Sequence, residues 1–330
     1  MSKITAAGIA AVFACMTALT GCGGSSAATT AAPAATTAAP AETTAAAAAE
    51  TKAAEAETKA EEKKEEAGDQ QYYGIVPEGR MKKIIDKGVL TMATEPYFAP
   101  YEFIDSSKQG DEQYVGADIE IAKFIADKLG VQLQVVPLEF SAVLSSVPDG
   151  KYDIAISGLA YTPERAEAME LSEGYYFTND TKGYSLLIQE KDKDVIKSPA
   201  DLAGKTIVYQ SGSLQEALSK AQVDEAACKE VKRTSSSNDA YLTVQEGKAD
   251  AAVVSVESAS LYAEANPGLY IVEEFRFDFP KELDGTRIGT QKGETALISF
   301  INCCIEDLRS QGKIDEWFAT YEEYAASLGV

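Results

Sequence analysis

Gly150-Lys-Tyr-Asp-Ile-Ala-Ile-Ser-Gly158, followed at once by Thr162-Pro-Glu-Arg165, is the stretch that decides the fold. A turn at Pro148-Asp-Gly150 precedes residues 152–157, a short apolar, β-favouring run. Thr162-Pro-Glu then has the form of a helix start: a hydroxyl cap, a proline in the first turn and an acid beside the positive end of the helix dipole. The spacing predicts a strand over 152–157 and a helix over 162–169, one βα unit of a mostly parallel sheet.

The same rhythm extends in both directions. Upstream it predicts a helix over 77–87, a strand over 88–93 and a helix over 118–129. Ile119, Ala122, Ile125, Ala126 and Leu129 share one face of that last helix, and Gly130 closes it. A strand over 131–137 and a short helix over 140–147 lead into the quoted turn. Downstream, strands over 184–189, 206–209 and 251–254 alternate with helices starting at 198 and 213 and a helix over 257–265. From about Ile288 a long helical stretch ends near Trp317. The expected architecture is two α/β lobes, with the tail returning to the first, so that two connections cross between them. Solutes bind such layouts at the carboxyl ends of the strands.

Composition removes several alternatives. The 330-residue chain has no histidine, which excludes His-based general base catalysis, Ser-His-Asp triads and His-ligated zinc. A formal net charge of -22 without any cluster of Lys and Arg argues against nucleic acid and fits a soluble monomer. The cysteines, Cys15, Cys22, Cys228, Cys303 and Cys304, lack the spacing of a metal site or a disulfide framework, and no metal or cofactor is expected. Cys303 and Cys304 read as small buried hydrophobes, and a Cys228–Cys303 bridge has no support in the spacing.

Residues 1–22 read as a lipoprotein signal peptide: Lys3 is the positive n-region, residues 4–19 are a short apolar run, and Leu19-Thr-Gly-Cys22 resembles a bacterial lipobox with Cys22 as the acylated residue. Residues 23–71 are Ala, Thr, Pro, Glu and Lys with almost nothing large to bury, and are expected to form a disordered tether with a reach on the order of 40 Å. The expected location is extracytoplasmic, lipid-anchored to the bacterial cell membrane. The folded part is expected to divide into lobe 1, residues 72–180 with 285–330, and lobe 2, residues 181–284.

Several motifs in order resemble family 3 of the bacterial extracellular solute-binding proteins, the polar amino-acid binders, over nearly all of residues 87–317. They are Gly88-Val-Leu-Thr-Met-Ala-Thr-Glu-Pro-Tyr-Phe-Ala-Pro-Tyr-Glu-Phe103, Val115-Gly-Ala-Asp-Ile-Glu-Ile-Ala-Lys123, the quoted stretch with Ser172-Glu-Gly-Tyr-Tyr176, Gln210-Ser-Gly-Ser213 and Gly247-Lys-Ala-Asp-Ala251. The resemblance implies a type II periplasmic-binding fold whose two α/β lobes close about a two-crossing hinge, with crossings near 175–182 and 279–286.

It also implies site residues. Arg165 matches the arginine that holds a ligand α-carboxylate; a planar guanidinium with two parallel donors suits that anion, whereas the plainer alternative is a surface salt bridge to Glu164, Glu167 or Glu170. Ser213, opening a helix, would add backbone N–H groups, and Gln210 belongs to the same loop. Phe98 and Phe140 align with side chains that sandwich the ligand. Ser157 and Gly158 are expected to offer carbonyl or hydroxyl acceptors to the ligand amine, and Ala160 only its N–H. Two positions depart from the family. Glu95 stands where an Asp is usual and is expected to face the ligand side chain; Ser255 stands where an Asp usually pairs with the α-ammonium. Either Glu257 or Glu95 supplies the missing charge, or the ligand is not a standard α-amino acid.

The function so implied is solute capture for an amino-acid ABC importer, with a permease and ATPase as partners and no enzymatic activity. The rivals are an enzyme on the same fold, such as a cyclohexadienyl dehydratase, and a sensory module that binds solute without transport.

Overall fold

The structure, a computed structural model, describes residues 72–177, 182–279, 281 and 284–330; the expected leader, Cys22 and the tether lie outside the described residues. In chain order the regular elements are α1 (Gly79–Lys87), β1 (Val89–Thr94), β2 (Phe103–Ile104), β3 (Tyr114–Val115), α2 (Ala117–Leu129), β4 (Gln132–Pro137), α3 (Phe140–Ser146), β5 (Ile154–Ala155), α4 (Pro163–Ala168) and β6 (Met169–Leu171). There follow β7 (Tyr184–Gln189), β8 (Thr206–Gln210), α5 (Leu214–Gln222), β9 (Glu230–Thr234), α6 (Ser237–Gln245), β10 (Ala251–Ser255), α7 (Val256–Ala265), β11 (Leu269–Ile271), β12 (Gly289–Gln291), α8 (Thr295–Ser310) and α9 (Lys313–Leu328).

Two five-stranded sheets result, ordered β4-β1-β5-β12-β6 and β11-β7-β10-β8-β9. The chain leaves the first sheet after β6, builds the second, and returns at β12, so each sheet is the centre of one α/β lobe. Where the two connections pass, Tyr176 and Thr286 form an antiparallel bridge, with Thr286 N–H donating to the Tyr176 carbonyl and Tyr175 N–H to that of Thr286, both at 2.8 Å. The expected crossings also include residues 178–181, 280 and 282–283, which lie outside the described residues.

Burial explains the pattern. In β1 every residue after Val89 is buried, because helices cover both faces of the sheet. The apolar face of α2, the β1 residues Leu90 and Met92, and Phe300, Ile301, Leu308 and Phe318 from the tail helices form one core, which ties the tail to the first lobe. In the second lobe successive residues of β8 point to opposite cores, Ile207 and Tyr209 to one and Val208 to the other.

Three expectations are corrected, and one strand, β9, had not been anticipated. The sheets are mixed: β1 pairs in parallel with β4 and β5, but β12 runs antiparallel to β5 and β6, and β7 antiparallel to β10 and β11. The start at 198 is a single 3-10 turn, Pro199–Leu202. The tail is two helices broken at Gly312, and the second continues to Leu328. β9 carries Glu230, Lys232 and Arg233 on the sheet edge, where charge discourages further pairing and also hides the strand from an apolar-pattern reading. Cys228, Cys303 and Cys304 are free thiols, so no Cys228–Cys303 bridge forms. No helix of the described residues is long and apolar enough to cross a membrane.

Candidate functional site

Strand ends from both sheets supply the site. β1 runs out into Glu95, β5 into Ser157 and Gly158, and β8 ends at Gln210; β10 ends at Ser255, which pairs with Tyr184 at the start of β7. A narrow cleft is walled by Glu95, Phe98, Glu102, Phe140, Ser157, Gly158, Ala160 and Arg165 from the first lobe, and by Tyr184, Gln210, Ser213, Leu214 and Gln215 from the second.

Arg165 is placed by its own helix start. Thr162 caps α4 by accepting from the Arg165 N–H at 3.2 Å, and Pro163 fixes the first turn. The side chain is 7% exposed, so it is not a surface ion pair. Its Nη1 donates to the Ala160 carbonyl at 2.7 Å, its Nη2 crosses to the Gly212 carbonyl at 3.0 Å, and the Phe140 ring lies 5.4 Å from the guanidinium carbon. Burial draws its pKa down to about 10, which leaves it cationic at neutral pH.

Opposite in charge is a row of buried acids. Glu95 is 2% exposed; its Oε2 accepts from Gln210 Nε2 at 3.3 Å, and its Oε1 has no hydrogen-bond partner. Burial raises its pKa to about 8, with Asp239 adding to the shift and the Gln210 bond opposing it. Ser157 accepts from the Glu95 N–H at 3.0 Å and donates to Glu102 Oε1 at 2.8 Å. Glu102 Oε2 is buried with no hydrogen-bond partner, and the nearby Asp118 accepts from the Tyr175 hydroxyl at 2.7 Å and the Gly158 N–H at 2.9 Å. Burial and the Asp118 charge hold the Glu102 carboxyl well above its ordinary range.

On the second lobe, Ser213 caps α5 by accepting from the Glu216 N–H at 3.1 Å, which turns the start of that helix, Leu214 and Gln215, into the cleft wall. Gln210 also donates to the Ser235 carbonyl and accepts from the Ser237 hydroxyl, so it links Glu95 to the second lobe. Phe98 stacks on Tyr101 with centroids 5.0 Å apart.

Glu95, Phe98, Phe140, Ser157, Gly158, Ala160, Arg165, Gln210 and Ser213 thus share one wall. The Ser157 hydroxyl is spent within the protein. Ser255 and Glu257 are buried but are not part of that wall. Glu257 accepts from the Tyr176 hydroxyl at 3.0 Å, and burial raises its pKa to about 7. Glu102 and Tyr184 line the cleft without having been singled out by sequence. Glu102 sits in the aromatic block Tyr101-Glu-Phe103, and a lone acid between core aromatics is the signal that could have found it.

Known proteins are similar over most of the chain. The model of the bacterial extracellular solute-binding proteins, family 3, matches residues 90–324. The arginine-binding extracellular protein ArtP of Bacillus subtilis is 29% identical over 238 residues, which covers 70% of this chain and 87% of ArtP. The crystal structure of the amino acid ABC transporter substrate-binding protein AbpA of Streptococcus pneumoniae bound to L-arginine has a TM-score of 0.67 at 30% identity, covering 74% of this chain and 98% of AbpA. The cyclohexadienyl dehydratase of Pseudomonas aeruginosa is 26% identical over 206 residues, 62% of this chain and 74% of that enzyme.

Proposed function

The chain belongs to the bacterial extracellular solute-binding proteins, family 3, and from that membership we propose that it captures a small amino-acid-like solute outside the cytoplasm and delivers it to the permease and ATPase of an ABC importer. One observation carries the proposal: a buried guanidinium, Arg165, and the capped start of α5 face the same cleft from opposite lobes. Two parallel N–H donors and helix N-terminal amides are what a carboxylate needs. Phe98 and Phe140 exclude water, which strengthens both.

The lobes, 72–180 with 285–330 and 181–284, close by hinge motion. Support comes from contacts that tie them: Arg165 to Gly212, Gln210 to Glu95, and the Tyr176 hydroxyl to Glu257. The centre of a water molecule has only about 20 Å³ to move in within the cleft, so its walls must part for a solute to enter. Ligand that bridges both lobes shifts the balance to the closed form, which the permease reads. A diacylated Cys22 and the tether hold the monomeric lobes to the membrane.

Native mass spectrometry of the freshly purified full chain, followed by calorimetry with an amino-acid panel, tests the capture reading. A bound amino acid whose affinity vanishes in Arg165→Ala is expected; undiminished binding in that variant removes the reading. A dehydratase reading is favoured by the largely protonated Glu95 in the cleft and by the dehydratase relative. Loss of prephenate or arogenate on incubation with the full chain would establish it, and none is expected.

A further inference from the structure

Glu95 belongs to the walls of two spaces, the narrow cleft and an open groove beside it. The centre of a water molecule has about 600 Å³ to move in within the groove, against about 20 Å³ in the cleft. Tyr97, Tyr114, Leu138 and Glu139 of the first lobe and Asp239 of the second wall the groove with Glu95, so it too lies between the lobes. The partition between the two spaces is thin. Gln210 lines the cleft, donates to Glu95 Oε2 at a long 3.3 Å and donates at 3.2 Å to the carbonyl of Ser235, which lines the groove. Glu95 is 2% exposed, yet its Oε1 has no donor. Glu102 Oε2 is unpaired as well, but Glu102 borders the cleft alone. An unpaired oxygen where two spaces meet is costly to bury, and a donor arriving with the solute relieves that cost. Beyond Glu95 the groove presents Glu139, Asp239 and two tyrosines and, among the described residues, no Lys or Arg. Carboxylates beside tyrosine rings suit an organic cation.

We infer that the groove is a second subsite: the solute's side chain leaves the cleft between Glu95 and Gln210, and its end, a cation with room for substituents, lies beside Asp239 and Glu139. The inference rests on the capture reading and deepens it, because it concerns what extends past the cleft and not the group that Arg165 holds. The favoured solutes are amino acids with a long side chain whose cationic end is alkylated or otherwise enlarged. The closed cleft has no room for such an end, and the groove has. A neutral end of similar size forfeits both the charge pairing and the contact of a cation with tyrosine.

Trimethylation of the lysine Nε keeps the charge and adds bulk, whereas acetylation adds bulk and removes the charge. Calorimetry of the full chain with Nε-trimethyl-lysine, Nε-acetyl-lysine, norleucine and the standard amino acids, lysine included, is the test. Nε-trimethyl-lysine is expected to bind at least as tightly as lysine, and about tenfold or more tighter than Nε-acetyl-lysine and norleucine. The double variant Glu139→Gln/Asp239→Asn, with unchanged far-ultraviolet circular dichroism, is expected to cut that margin to about threefold or less. Rejection of Nε-trimethyl-lysine while any other member of the panel binds overturns the subsite and leaves capture intact. So does Nε-acetyl-lysine or norleucine binding as tightly as Nε-trimethyl-lysine, or a margin that the double variant leaves untouched. Silence across the whole panel overturns the capture reading and the subsite together.

Discussion

Arg165 Nη2 donates to the Gly212 carbonyl at 3.0 Å, so the one cation of the cleft is also a strut between the helix start of the first lobe and the loop before α5 in the second. Its partners are carbonyl oxygens, which satisfy N–H groups without neutralising the charge. A cation desolvated in this way gains most from a carboxylate arriving between the lobes, and the same arrival tightens the strut.

Arg165→Lys is therefore expected to be far from conservative. An ammonium cannot reach two carbonyls and a carboxylate in one plane. The affinity for solute, measured by calorimetry, should fall by about 2–5 kcal/mol, with the far-ultraviolet circular dichroism unchanged. Full affinity in this variant would mean that the carboxylate is held elsewhere.

Capture should depend on pH through Glu95, whose carboxyl is raised from 4.5 to about 8 chiefly by burial. The groups that face it are Gln210, Asp239 of α6 and its neighbour Glu102. Pairing with a cation requires the carboxylate, so at neutral pH binding releases a proton, and affinity rises until pH passes about 8. Calorimetry in buffers of different ionisation enthalpy measures that release, and Glu95→Gln should abolish it. The stability effect has the opposite sign. An acid with a raised folded pKa contributes stability that is complete below 4.5 and lost as pH climbs through about 8, so the ligand-free wild type should melt progressively earlier over that window than Glu95→Gln.

Glu257 is expected to serve lobe closure instead of ligand contact. Its carboxyl holds the Tyr176 hydroxyl at 3.0 Å, and the Tyr176 ring stacks on Phe318 of α9 with centroids 3.6 Å apart. Glu257→Gln keeps a hydrogen-bonding carbonyl at this joint, so solute affinity should stay within about threefold, well under the tenfold that 1.4 kcal/mol represents. Because burial raises Glu257 to about 7, its contribution to stability is complete below 4.5 and fades as pH rises through 7; Glu257→Gln should accordingly melt later than wild type at pH values above that. A tenfold or larger loss of affinity would place Glu257 at the ligand.

Local signals and long-range ones separate cleanly in this chain. Arg165 is legible because Thr162 and Pro163 fix a helix start within three residues of it, and the apolar face of α2 is legible because its spacing needs no other element. Glu102 is not, since its protonation depends on Asp118 in a different element and on Tyr175 near the hinge. The mixed sheets escape for a similar reason: β12 has only three residues, and its antiparallel seat between β5 and β6 is set by the returning chain. Tyr184 reaches the cleft only because β7 runs antiparallel to β10 and so begins where β10 ends.

Gly158 offers a last check on the cleft wall. Its backbone has φ +53, and a Cβ there would lie 2.9 Å from two carbons of the Phe98 ring. Gly158→Ala therefore combines left-handed strain of roughly 1–2 kcal/mol with overpacking of about 1–3 kcal/mol. Gly204→Ala isolates the first of these, having φ +72 with no atom within 4 Å of the added methyl. Denaturant unfolding should show Gly158→Ala to be the more destabilised of the two. Only Gly158→Ala should also lose solute affinity, because Phe98 can give way only toward the cleft or against Tyr101, on which it stacks. Equal stabilities and equal affinities for the two variants would mean that Phe98 moves freely and does not wall the site.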